Sequence, residues 1–209
     1  MATLTFNGAA QEVTGSCYLL RTANSIVILD CGLRQGNAEA ESRNRAQFSF
    51  DVRRLDAVIL SHAHLDHSGL LPRLVRAGYH GRIFCTPATA DLLRVLLMDA
   101  AYLHLKDIEA DNRWLERAGK PLLQPDFTPQ DVEKACKLCE PISYHQSVAV
   151  TPDMNLVFRN AGHILGAAIV QLHIDERGRR RGLVFSGDLG TPTPCFCQRP
   201  KRSMLPMSC

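Results

Sequence analysis

The segment Ser61-His62-Ala63-His64-Leu65-Asp66-His67 packs three histidines and a carboxylate into six residues, directly after the largely apolar run Leu55 to Leu60. In an extended segment, side chains two residues apart project to the same side, so His62 and His64 can reach one ion. Asp66 and His67 then fall at the turn into the following helix, where they can hold a neighbouring ion. Neutral imidazoles and carboxylates suit zinc or a similar divalent metal. A lone histidine is more often a satisfied core or surface residue, and that is the expectation for His80, His104, His145 and His173. For a cluster this dense the expectation reverses, and the chemistry it suggests is that of a metallohydrolase.

Two more candidates sit in glycine-flanked turns, His163 in Ala161-Gly162-His163-Ile164-Leu165-Gly166 and Asp188 in Ser186-Gly187-Asp188-Leu189-Gly190. Glycine lets backbone approach an ion closely. Each residue by itself is as much a turn former as a ligand. With the histidine cluster upstream, both are expected to be ligands.

These residues need a scaffold. Apolar and polar groups alternate from Leu4 to Leu29, which predicts an antiparallel meander ending at Asp30-Cys31-Gly32. Leu33 to Phe50 is polar and reads as a loop with a short helix, followed by a strand over Leu55 to Leu60. Ser68 to Gly78 has its proline near the start and a glycine stop, the pattern of a helix. Ile83 to Cys85 is a short strand, and Thr86-Pro87 then caps a long helix through Leu92, Val95, Leu96, Asp99 and Leu103. Thr128-Pro129-Gln130-Asp131 repeats that cap before a helix expected to end near Glu140-Pro141. Strands are expected around Val148 to Val150, Leu156 to Phe158, Ala167 to Ile174 and Leu183 to Phe185. The layout predicts a single α/β domain of two sheets covered by helices.

The net charge of +3 arises in the tail, where Arg199, Lys201 and Arg202 have no acidic counterpart; the remaining body balances 21 basic against 21 acidic residues. Net charge therefore does not point to a nucleic-acid partner. Arg177-Gly178-Arg179-Arg180-Arg181 is the one dense basic run and reads as a solvated hairpin turn rather than a phosphate site. No segment approaches the roughly 20 apolar residues of a membrane span, and the N-terminus has no basic region followed by an apolar stretch. The expectation is a cytoplasmic protein with no membrane association. Of the 8 cysteines, Cys17, Cys31, Cys85, Cys136 and Cys139 lie in the body, an odd set that suggests reduced thiols. Cys136-Lys137-Leu138-Cys139 has the spacing of half a zinc site, but without a second pair it reads as incidental thiols.

Taken in order, Asp30, the His62 to His67 cluster, His163 and Asp188 resemble the successive motifs of the metallo-β-lactamase superfamily. The wording of Gly8 to Cys17, His62 to Gly69, Ala161 to Ala167 and Ser186 to Gly190 looks like its β-CASP branch, which includes RNA-processing nucleases of the mRNA 3′-end cleavage type. The resemblance implies an αββα sandwich with metals at one edge. It also implies that His62, His64 and His163 hold one zinc, that Asp66 and His67 hold a second, and that Asp188 bridges them. Asp66 and Asp188 would thereby serve catalysis, with Asp30 orienting the ligand shell. The implied reaction is attack of a metal-bridging hydroxide on an RNA phosphodiester, with no protein nucleophile. A thioester or lactam hydrolase of the same superfamily, or an inactive metal-binding remnant, shares these motifs.

The resemblance covers nearly all of positions 3 to 191. Residues 1–191 are therefore expected to form the N-terminal part of the fold, without the β-CASP cap, the returning C-terminal strands or the last ligand of the second zinc. Residues 192–209 show neither strand nor helix periodicity and read as an irregular tail. With permissible codons, the bases from Cys195 onward read one nucleotide earlier give a peptide resembling how β-CASP chains continue. A frameshifted, prematurely ended copy of a longer nuclease is the expectation, set against a natural short variant.

Overall fold

The computed structural model of the protein describes residues 1–176 and 178–190. The expected tail, residues 192–209, lies outside them, as does Arg177. Three antiparallel strands open the chain, β1 (Thr3–Gly8), β2 (Cys17–Arg21) and β3 (Ile26–Leu29). They are continued in the same sheet by parallel strands β4 (Ala57–Ile59), β5 (Arg82–Cys85) and β6 (Cys139–Pro141), in the order β1-β2-β3-β4-β5-β6. Between them run the helices α1 (Ala38–Arg45), α2 (Leu65–Ser68), α3 (Leu71–Arg76), α4 (Pro87–Arg117) and α5 (Pro129–Lys137). A second, antiparallel sheet follows from β7 (Ser147–Thr151), β8 (Met154–Asn160), β9 (Ala168–Glu176) and β10 (Arg179–Phe185), ordered β10-β9-β8-β7.

The continuous apolar runs of β3 to β5 follow from burial on both faces. Ile28, Val58 and Ile83 face a core shared with Leu71 and Leu74 of α3, Leu93 and Leu97 of α4, and Val132 of α5. Their neighbours Val27, Leu29, Ile59 and Phe84 face the opposite way and pack on Leu156, Phe158, Val170 and Leu172 of the second sheet. Full burial of a side chain such as Phe84 contributes roughly 1.5–3 kcal/mol. The second sheet instead alternates, with Leu156, Phe158 and Val170 inward and Asn155, Arg159 and His173 outward. Among the described residues no helix covers that outer face, and α3, α4 and α5 pack on the first sheet.

Two element boundaries differ from the sequence reading, and one long helix buries other residues than those that mark it in the sequence. The strand expected over Leu55 to Leu60 pairs only over Ala57–Ile59, because Val52–Arg54 forms a 3-10 turn capped by Asp51. Helix α4 buries Leu93, Leu97, Ala101 and Ile108, whereas Val95 and Leu103 are exposed. Helix α5, closed by a Thr128–Asp131 capping box, stops at Lys137, and Cys139-Glu140-Pro141 becomes an edge strand beside β5. Three residues are too few to show a period, and only the free edge of β5 recruits them.

Candidate metal centre

The candidate residues gather where the parallel strands end. Asp30 follows β3, Ser61 to His64 follow β4, His163 lies on the β8–β9 connection and Asp188 follows β10. Helix α2 carries Asp66 and His67, and main-chain bonds pin it to the turn after β3: Ser16 N donates to Asp66 O, Cys31 N to His67 O and Leu33 N to Leu65 O, each at 2.8 Å. Gly32 permits this approach, since a Cβ there would lie 1.7 Å from Asp66 O. The loops bearing His163 and Asp188 are tied together in the same way. Gly190 N donates to Ala161 O at 3.0 Å, and a Cβ on Gly190 would stand 1.6 Å from Gly162 O.

Side-chain donor atoms converge as a result. One ligand atom each from His62, His64, His163 and Asp188 lie within 4.8 Å of one another. His64 Nδ1 is 3.1 Å from His62 Nε2 and 3.3 Å from His163 Nε2. Asp188 Oδ2 is 3.5 Å from His163 Nε2 and 3.9 Å from His62 Nε2. Four ligands at zinc-like bond lengths of about 2.0–2.1 Å around a tetrahedron are separated by about 3.3–3.4 Å, so these separations fit a divalent ion. Asp66 and His67 lie beside that set rather than in it. The other oxygen of Asp188, Oδ1, is 3.4 Å from His67 Nε2, and Asp66 Oδ2 is 3.7 Å from the same nitrogen.

Asp30 organises the ring nitrogens that face away from these ligand atoms. It is fully buried, and its backbone has a left-handed φ of 58°, a conformation that Asp tolerates better than most residues. Its Oδ1 accepts Ser61 N at 2.8 Å, while Oδ2 accepts the Ser16 hydroxyl at 2.9 Å, the Ser61 hydroxyl at 3.0 Å and His67 Nδ1 at 2.7 Å. With its hydroxyl proton given to Asp30, Ser61 Oγ accepts from His62 Nδ1 at 3.0 Å. Both histidines are thereby assigned a proton on Nδ1 and a lone pair on Nε2, the atom that faces Asp188.

For His62 the electrostatics favour the neutral ring, and for His67 they favour the proton shared with Asp30. Burial, reinforced by His67, His64 and His163, pushes His62 down to about 2, so it is a neutral donor at any working pH. His64 is lowered by burial and by His163, against the opposing pull of Asp66 and Asp188. Burial also disfavours the charged form of His67, but its bond and attraction to Asp30, with Asp66 and Asp188 nearby, raise it overall.

Residues 10–135 match the family described as the metallo-beta-lactamase superfamily. The chain belongs to the metallo-β-lactamase superfamily. It is 42% identical to Ribonuclease TTHA0252 of Thermus thermophilus over 88% of this chain and 37% of that protein. Against the transcription termination factor FttA of Methanocaldococcus jannaschii, identity is 35% over 97% of this chain and 30% of the relative. The chain thus spans about a third of the length of these curated relatives. The fold aligns with a metallo-β-lactamase from Cronobacter sakazakii altered in its HARLDQ motif, at a TM-score of 0.52 and 21% identity, over 86% of this chain and 60% of the other. Metallo-β-lactamase superfamily members use divalent metals, and the donor set on this chain fits one.

The remaining histidines sit apart from the centre. His104 stacks on Phe127 and accepts from Asp126 N at 3.1 Å, a structural role. Arg180 and Arg181 pair with Asp175 and Glu176 across the β9–β10 hairpin, in keeping with a solvated basic run. All five described cysteines are free. Sequence reasoning missed Ser16 and Ser61 as partners of Asp30, and Thr86 and Thr89, whose hydroxyls both donate to Gly166 O in the His163 loop at 2.7 and 3.0 Å. Serine and threonine are too common in turns to stand out by type. The one available signal was Ser61 abutting the histidine cluster.

Proposed function

We propose that this chain is the metal-binding core of a zinc-dependent phosphodiesterase of the β-CASP branch that cleaves RNA. The observation that carries the reading is the division of the Asp188 carboxylate, one oxygen toward His62 and His163 and the other toward His67. That division suits a bridging ligand between two ions. His62, His64 and His163 would hold the first zinc and Asp66 with His67 the second. When bound, paired zinc ions supply a nucleophile ionised near neutral pH and stabilise charge at phosphorus.

The chain's own residues set up this chemistry. Asp30 and Ser61 orient two imidazoles with Nε2 toward Asp188, and the Gly162–Gly190 contact holds His163 and Asp188 in register. Asp66 and Asp188 add the negative charge that a pair of dications needs for retention. RNA as the substrate class is supported by the name of the Thermus thermophilus relative and by the flanking motif wording. Free thiols at every described cysteine support a cytoplasmic setting, and no helix among the described residues is long and apolar enough to cross a membrane.

The test is zinc content and ribonuclease activity of the chain beside His64→Ala. The wild type should retain zinc through gel filtration and cleave RNA, and His64→Ala should lose both. A wild type that binds no zinc rejects the metal centre, and one that binds zinc but cleaves only a thioester or lactam rejects the RNA assignment.

A further inference from the structure

The ends of the parallel strands opposite the metal centre also form a concave surface. It lies where the chain enters β3, β4 and β5, and is lined by Arg21, Arg53, Arg54, Asp56 and His80 around a hollow of about 670 Å³. Arg21 comes from the end of β2, Arg53 and Arg54 from the 3-10 turn and His80 from the approach to β5. All three arginines are exposed. Among the described residues none has a carboxylate within ion-pair distance, in contrast to Arg34, Arg43, Arg45, Arg76, Arg180 and Arg181. The acids nearby are oriented by other bonds: Asp56 Oδ2 accepts Ile26 N at 2.7 Å, and Asp153 accepts the hydroxyls of Thr22, Ser25 and Thr151, so they offset part of the positive charge without pairing an arginine. Three guanidinium groups from two elements, outnumbering the one acid of the lining, therefore face one polar hollow.

We propose that this hollow binds the phosphodiester backbone of RNA, at a site separate from the metal centre. The proposal rests on the RNA reading above for the identity of the polyanion. Arginine presents a planar fork of donors matched to phosphate oxygens, and three of them in one concavity can engage successive phosphates. The lining has no Phe, Tyr or Trp on which a base could stack, and apart from Ala23, Ile26 and Leu55 its side chains are polar or charged, which suits a backbone more than an apolar peptide. Contacts of this type position a strand without reading its sequence. From Asp56 at the hollow to Ser61 at the centre is five residues of mostly extended chain, about 16 Å at strand rise. The hollow thus contacts RNA well away from the scissile bond.

The experiment measures fluorescence anisotropy of a labelled 2′-O-methyl oligouridylate on the full chain over a salt series, with zinc content determined on the same samples. A triple variant, Arg21→Ala/Arg53→Ala/Arg54→Ala, is compared with Lys106→Ala/Arg113→Ala/Arg117→Ala on the exposed face of α4, which removes the same charge elsewhere. The hollow variant should lose affinity roughly tenfold or more, with the slope of log affinity against log salt shallower by about 2. The α4 variant should stay within about twofold of wild type, and a labelled oligocytidylate should give the same pattern. Equal losses in the two variants, or none in the hollow variant, overturn the proposal. Zinc-loaded protein whose RNA binding ignores the hollow sinks this inference alone; a selective loss by protein that holds no zinc sinks the hydrolase reading alone.

Discussion

Replacing Asp30 with asparagine isolates the device that sets the histidine tautomers. The amide keeps the shape of the carboxylate and the tolerance for a left-handed backbone, but it has one acceptor oxygen in place of two. If that oxygen stays on Ser61 N, the amide NH2 faces His67 Nδ1, 2.7 Å from the replaced Oδ2. Two donors then oppose each other unless the imidazole proton moves to Nε2, the atom 3.4 Å from Asp188 Oδ1. If the amide flips, its NH2 meets the Ser61 N–H instead, leaving a buried donor unmet at about 1–3 kcal/mol. In the first arrangement the Ser16 and Ser61 hydroxyls rotate to accept, and the second lone pair of Ser61 Oγ still accepts from His62 Nδ1.

The expected outcome is therefore specific to the His67 side. Its zinc affinity should fall 10–100-fold, the usual effect of removing such an outer partner, or about 1.4–2.7 kcal/mol. The His62, His64 and His163 set should keep its ion. Chelator-competition titration gives affinity and stoichiometry, and ring-nitrogen NMR of the metal-free protein reports the His67 tautomer directly. A variant that keeps Nδ1–H on His67 and binds zinc like wild type refutes the reasoning.

Three further outcomes are expected. Gly190→Ala should push the His163 and Asp188 loops apart, since the new Cβ would stand 1.6 Å from Gly162 O; zinc retention should be lost while the far-UV spectrum stays native, and undiminished zinc binding would count against a rigid contact. Thr86→Val removes both the cap on α4 and a bond to Gly166 O, so thermal unfolding should report a loss of about 1–2 kcal/mol, largely restored by Thr86→Ser. Asp153 is held below the ordinary carboxylate range: burial opposes this, but bonds from Ser25, Thr22 and Thr151 outweigh it. A carboxyl lowered on folding adds stability above its unfolded pKa, and that stability is lost as pH falls through the folded value. Asp153→Asn should accordingly flatten the acid limb of a urea-unfolding series below about pH 4, and an unchanged limb would contradict the assignment.

The sequence by itself determined the chemistry and most of the scaffold. Three histidines and an acid in six residues stand out by type alone, and the glycines around His163 and Asp188 mark turns because positive φ and close approach exclude other side chains. The strands of the second sheet were legible because one face is apolar and the other polar, and α4 and α5 because their caps are local. Tertiary structure decided what depends on partners distant in the chain. Cys139-Glu140-Pro141 is a strand only because the edge of β5 is free, and Val95 and Leu103 are exposed because α4 turns Leu93 and Leu97 to the sheet. The convergence of these side chains was likewise absent from local sequence. Asp30, Ser61, His163 and Asp188 come together because their loops leave strand ends on one side of the two sheets, and hydrogen bonds set by that packing turn Nε2 of His62 and His67 toward Asp188.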